Sequence, residues 1–215
     1  MKVRSLTELQ EKLDSDLVWR KREFTTLKFL VTSSREHEKL ILLRASIALL
    51  YAHWEGHIKH CASVYLSYLN HISPKYGQMT DNFLQMSLSE KFKKGFSIKS
   101  FSSQKEICEY IMNCRERSFL VNADVIINTE SNLKYKVVFN ILNQLGLDKS
   151  TFELKENFID SKLVRFRNSI AHGDNVNKCD LYDTYQELDN ELLEMIQLFK
   201  NLVLSAAENE LYLKC

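Results

Sequence analysis

The chain has 215 residues, enough for one helical core, and its 45% hydrophobic and 27% charged residues exclude a disordered or membrane-embedded class. Lysine plus arginine total 29 against 28 acidic residues, so bulk charge gives no argument for nucleic-acid binding, and a basic footprint would have to be local. Five cysteines, odd in number and with no CxxC pair, argue against a disulfide framework or zinc ribbon and predict buried free thiols.

The amino terminus lacks an apolar signal-like stretch and the apolar runs fall well short of the roughly 20 residues that span a bilayer, so a cytoplasmic protein without a membrane partner is expected. With five glycines and one proline, few residues interrupt the chain, which favours long helices. The pattern predicts an all-α bundle of four to five long helices in a single domain over 1–215, with a helical and loop insertion over about 72–130.

Ser5-Leu6-Thr7-Glu8 has the form of a capping box, and Leu6, Leu9, Leu13, Leu17, Phe24, Leu27 and Leu30 continue at helical spacing to about residue 32. A second box at Ser33-Ser34-Arg35-Glu36 opens a helix to about His71, roughly 50 Å long, the spine of the fold. Ser73-Pro74-Lys75-Tyr76-Gly77 ends it. In the insertion, a short helix near Asp81 to Lys93, a helix from Ser103 to about Arg117, and a brief extended segment at Val125-Ile126-Ile127 are expected. Helices then follow over Ser131 to Leu145, stopped by Gly146, over Phe152 to His172, stopped by Gly173, and from Asp180 to about Leu211.

Chemistry concentrates in Leu163-Val164-Arg165-Phe166-Arg167-Asn168-Ser169-Ile170-Ala171-His172-Gly173, an R-x4-H string at a helix end. Five helical residues turn about 500°, so Arg167 and His172 stand about 140° apart and about 7.5 Å apart in rise. On the second helix, Arg44, Tyr51 and Glu55 share a face that can flank a groove, or can simply form an ion-pair or interface cluster. His53 and His57 have the i,i+4 spacing of paired metal ligands, but no H-E-x-x-H carboxylate accompanies them, and ordinary surface or core histidines are the expectation, with no metal and no cofactor. Lys91, Lys93, Lys94 and Lys99, interleaved with Phe92, Phe96 and Phe101, can guide a single strand by charge and stacking, or form a solvated loop with aromatic anchors.

The R-x4-H string on the penultimate long helix resembles the HEPN superfamily. Leu43-Arg44-Ala45 with Leu50-Tyr51-Ala52-His53-Trp54-Glu55-Gly56 looks like the branch typed by MAE_28990/MAE_18760 and the RiboL-PSP group. The resemblance implies metal-independent cleavage of single-stranded RNA by its own 2′-hydroxyl, in a homodimer whose two motifs face each other. Arg167 would hold the phosphate, His172 would move protons, and Asn168 would orient either group. It further implies a toxin or antiphage effector with an antitoxin or other regulatory protein as partner. The alternatives are a HEPN adaptor that binds a partner protein or nucleotide without catalysis, in which His172 caps the helix and Arg167 covers apolar surface, and a plain helical scaffold.

Overall fold

The computed structural model describes residues 2–93, 100–130 and 132–214. Helix α1 spans Leu6–Ser33 and α2 Glu36–Ile72, an antiparallel hairpin against which the last helix, α9 (Lys178–Glu208), packs. At 37 residues, α2 is about 55 Å long and contacts most of the other elements. Its inward positions, Ile47, Leu50, Trp54, Ile58, Cys61, Tyr65 and Leu69, are almost fully buried and recur every three or four residues, which is why it serves as the spine. Among the described residues the elements are helical, with two isolated bridges, Lys75 to Ser118 and Met79 to Leu213.

Between α2 and α9 lie α3 (Asp81–Lys93), α4 (Phe101–Cys114), α5 (Ala123–Ile126), α6 (Tyr135–Leu145), α7 (Ser150–Glu153), a π-helical stretch (Phe158–Val164) and α8 (Arg165–Ala171). One connecting segment also runs along the spine. Residues 121–130, and Leu133 after them, run antiparallel to α2: Val121 exchanges hydrogen bonds with Asn70, Thr129 meets Glu55, and the Leu133 amide donates to the Tyr51 hydroxyl.

Several local expectations are corrected. Ser5 accepts from the Glu8 amide at 3.1 Å, but Glu8 reaches back to the Arg4 amide at 2.8 Å. The second box lies two residues later: Ser33 and Ser34 turn back onto carbonyls of Phe29 and Val31, and Glu38 accepts from the Arg35 amide. Ser100, rather than Ser103, caps α4, which ends at Cys114. Of Val125-Ile126-Ile127 only Ile127 is extended; Asn122 accepts from the Asp124 amide and nucleates the single turn α5, which takes in Val125 and Ile126. Helix α6 begins at Tyr135, and Ser131 lies outside the described residues.

The expected single helix over Phe152 to His172 is divided. It breaks after α7, and from Phe158 the backbone widens, so the Arg165 amide donates to the Asp160 carbonyl five residues back. The core supplies the reason. The pairs Phe158/Ile159 and Leu163/Val164 are all buried and five residues apart, a spacing that a 3.6-residue helix turns by about 140° and a wider turn keeps on one side. Helix α9 starts at Lys178, capped by Asn177, and ends at Glu208. Of the cysteines, Cys61 and Cys114 are buried free thiols; Cys108 and Cys179 are exposed, on the outer side of α4 and in the first turn of α9, against the expectation of burial. Cys215 lies outside the described residues. Among the described residues, no helix is long and apolar enough to cross a membrane.

Candidate active site

Helix α8 lies on the amino-terminal half of α2, running antiparallel to it, and this places Arg167 beside Tyr51 and Glu55. The guanidinium carbon of Arg167 is 4.2 Å from the centroid of the Tyr51 ring, one Nη2 is 4.0 Å from a Glu55 carboxylate oxygen, and Nη1 donates to Asn168 Oδ1 at 2.7 Å. The Arg167 side chain keeps 23% of its surface exposed, enough for an incoming anion to reach it. A guanidinium stacked on a ring and held at its edge is a pre-aimed cation, with little rotamer freedom left to lose on binding.

Tyr51 is itself fixed. Its ring is buried, and its oxygen accepts from the Leu133 amide at 2.7 Å. Burial, reinforced by the Glu55 carboxylate, pushes its hydroxyl up to about 12, so it is a neutral platform at any physiological pH. Glu55 accepts from the Thr129 hydroxyl at 2.5 Å, which anchors the carboxylate from its far side. Next to Thr129, Glu130 adopts φ 54, and its amide donates to Asn128 Oδ1 at 2.9 Å, a tight turn that aims the threonine at α2.

His172 stands at the carboxyl end of α8 with its ring exposed. Gly173, at φ 79, lets the chain close a Schellman motif: the Asp174 amide donates to Ser169 O and the Gly173 amide to Ile170 O. Arg44 reaches across from α2 and donates to the Asp174 carbonyl at 2.8 Å. Thus Arg44 braces the turn behind His172, while Tyr51 and Glu55 hold Arg167. The structure brings Arg167, Asn168, Tyr51 and Glu55 together and puts His172 and Arg44 at the other end of the same short helix. Thr129, 74 residues from Glu55 in sequence, has no motif that marks it.

The two histidines with metal-ligand spacing have other work. Asp16 and Arg20 of α1, both buried, form an ion pair at 2.8 Å against α2. Arg20 Nη1 donates to the His53 carbonyl at 3.0 Å, His57 Nδ1 lies 2.6 Å from Asp16, and His57 Nε2 lies 3.0 Å from the Ile196 carbonyl of α9. The Glu23 carboxylate is 2.9 Å from His53 Nε2. Both ring nitrogens of His57 therefore face protein acceptors, and among the described residues no group of three or more His, Cys, Asp or Glu is placed to hold a metal. Burial works against the Asp16 charge, but its bonds to His57 and Arg20 win and hold its carboxyl well below the usual range. The Arg20 guanidinium sits over Gly56, where a Cβ would come within 3.3 Å of it.

Of the expected strand guides, Lys91 lies over the Tyr110 ring and Lys93 donates to the Val125 carbonyl at 2.6 Å, while Phe92 and Phe101 are exposed. Lys94, Phe96 and Lys99 lie outside the described residues.

A HEPN family model, HEPN_MAE_28990, matches residues 9–212, nearly the whole chain. The chain belongs to the HEPN family. Neither curated proteins nor solved structures give a match. HEPN membership supports a ribonuclease or nucleotide-related role for the chain.

Proposed function

We propose that this HEPN chain is a metal-independent endoribonuclease of single-stranded RNA, with Arg167 and His172 from each of two copies forming one composite site and Asn168 in support. The observation that carries this reading is the braced, part-exposed Arg167, stacked 4.2 Å from Tyr51 on the helix that ends in an exposed His172. An arginine so held can take a phosphate in bidentate fashion and stabilise charge as the 2′-oxygen attacks, while a histidine titrates in the range needed to move protons to and from the 2′- and 5′-oxygens. Arg167 and His172 of one copy diverge by about 140° around α8, so a second copy facing the first supplies the missing half. A cytoplasmic toxin or antiphage effector, held by an antitoxin or other regulator, is the setting that fits such an activity.

A non-catalytic adaptor is the second reading, favoured by one observation: Glu55 already answers the Arg167 charge within the chain. Incubation of the purified protein with a labelled single strand in EDTA, beside His172→Ala and Arg167→Ala, separates the two. The nuclease yields 2′,3′-cyclic phosphate ends and slows by about 100-fold or more in each variant. Equal silence of all three proteins leaves the adaptor.

A further inference from the structure

A cleft of about 670 Å³ opens between α3 and α6, on the other side of the turn that carries Thr129. Most of its polar rim is carboxamide: Asn82, Gln85, Asn128, Asn140, Asn143 and Gln144. Its floor is apolar, with Met86, Ile126 and Ile141 buried beneath the rim. Two amides are spent on the scaffold, since Asn82 donates to the Gln144 carbonyl at 2.9 Å and Asn128 accepts from the Glu130 amide. Gln85, Asn140 and Asn143 are exposed around the opening. Lys93 stands at the edge, one of its three N–H groups donating to the Val125 carbonyl and two left for an anion.

An apolar floor buried beneath groups that both donate and accept suits a splayed nucleobase, which sits over the floor and offers its edge to the rim. Asparagine and glutamine match adenine, accepting from its exocyclic amine and donating to the neighbouring ring nitrogen; arginine, the usual reader of guanine, is absent from the described lining. The cleft is also tied to the cutting centre. Asn128 and Glu130 line it while Thr129, between them, donates to Glu55 beside Arg167.

We propose that this carboxamide-rimmed cleft is the base-recognition subsite of the enzyme, taking a nucleobase with an exocyclic amine, adenine first, from a nucleotide near the scissile phosphate. The inference rests on the ribonuclease reading and adds sequence specificity to it. A rim of amides also suits an extended peptide, and that occupant is an outcome against the proposal.

The test has two arms. In the first, wild type and a Gln85→Ala/Asn140→Ala variant, both positions being exposed and away from the core, cut a random-sequence RNA and the product ends are sequenced. A preference for adenine at one fixed position near the cut, reduced about 5- to 100-fold in the variant, supports the subsite. A preference that survives the variant, or no base preference at all, overturns it while cleavage itself keeps the ribonuclease reading. In the second arm the His172→Ala protein, with and without the two cleft substitutions, binds hexanucleotides that differ at one base. Unequal affinities that become equal in the variant support the subsite; equal affinities throughout overturn it. If wild type neither cuts nor binds RNA, both readings fall.

Discussion

Arg167 rests on Tyr51, its guanidinium carbon 4.2 Å from the ring centroid, so the cation of the R-x4-H string is aimed by a side chain 116 positions earlier in the chain. An ammonium in its place would lose the stack, the bond to Asn168 and the fork that grips two phosphate oxygens. Arg167→Lys should therefore fold with an unchanged melting temperature and cut RNA about 100-fold more slowly, a loss of the size expected for one transition-state donor. Circular dichroism melts beside initial-rate assays check this; a variant with near wild-type rate would remove Arg167 from the chemistry.

Glu55 opposes that cation at 4.0 Å and is held by Thr129. Glu55→Gln keeps an oxygen for the threonine hydroxyl but withdraws the competing charge. A part-exposed ion pair is worth about 0.5–1 kcal/mol, so a catalytically silent His172→Ala protein carrying the change should bind a single strand about two- to fivefold more tightly. Weaker binding in a fluorescence-anisotropy titration would show instead that the carboxylate itself contacts the strand.

Much of this was visible in the residues themselves. The uninterrupted spine, the glycine stops at Gly146 and Gly173, and the motif on the penultimate helical segment follow from spacing and punctuation, which are local. What spacing cannot carry is a contact between distant segments. Thr129 meets Glu55 only because residues 121–130 lie along α2, and the Arg44 bond to the Asp174 carbonyl depends on where α8 crosses the spine. The π-helical stretch escapes a 3.6-residue template by construction, since burial of pairs five apart looks like noise to it. The buried ion pair did leave a trace: the apolar row Leu9, Leu13, Leu17, Phe24 has a gap that Arg20 fills, with Asp16 one turn before it.

That pair joins α1 to α2 with both side chains almost fully buried. Removing one partner leaves a charge with no water and no counter-ion, so Asp16→Ala should cost about 3–5 kcal/mol by urea denaturation. An Asp16→Leu/Arg20→Met double replacement removes both charges and should recover most of that loss. A cost under about 1 kcal/mol for the single change would mean that water reaches Arg20.

Stability should also depend on pH through the same cluster. Burial lowers the pKa of His57, and burial with the Arg20 charge lowers that of His53, below the ordinary histidine value of 6.5. The unfolded chain then binds protons that the folded chain refuses, so their contribution is full above 6.5 and is lost as pH falls through the folded values. Asp16, lowered from 3.8, adds a loss of the same sign further into acid. Melting temperature should fall between about pH 7 and about pH 5.5, with a shallower slope in His53→Gln. A flat profile in wild type would show that the two histidines bind protons equally well in the folded and the unfolded chain.

Arg44 tests whether the turn after His172 has to be rigid. Its single bond to the Asp174 carbonyl lies near the surface, so Arg44→Ala should change global stability by no more than about 0.5–1 kcal/mol. The Schellman closure at Gly173 remains in the variant, but the backbone beyond it loses its tie to α2. Misplacing a catalytic group by about 1 Å can cost up to about 100-fold, and a loosened turn should lower the cleavage rate between a few-fold and that limit, with little change in RNA affinity. Hydrogen exchange at residues 173–177 should speed up in parallel, because only local opening is affected. Faster exchange with an unchanged rate would show that His172 acts from a mobile turn, and that the second copy, not Arg44, sets its position.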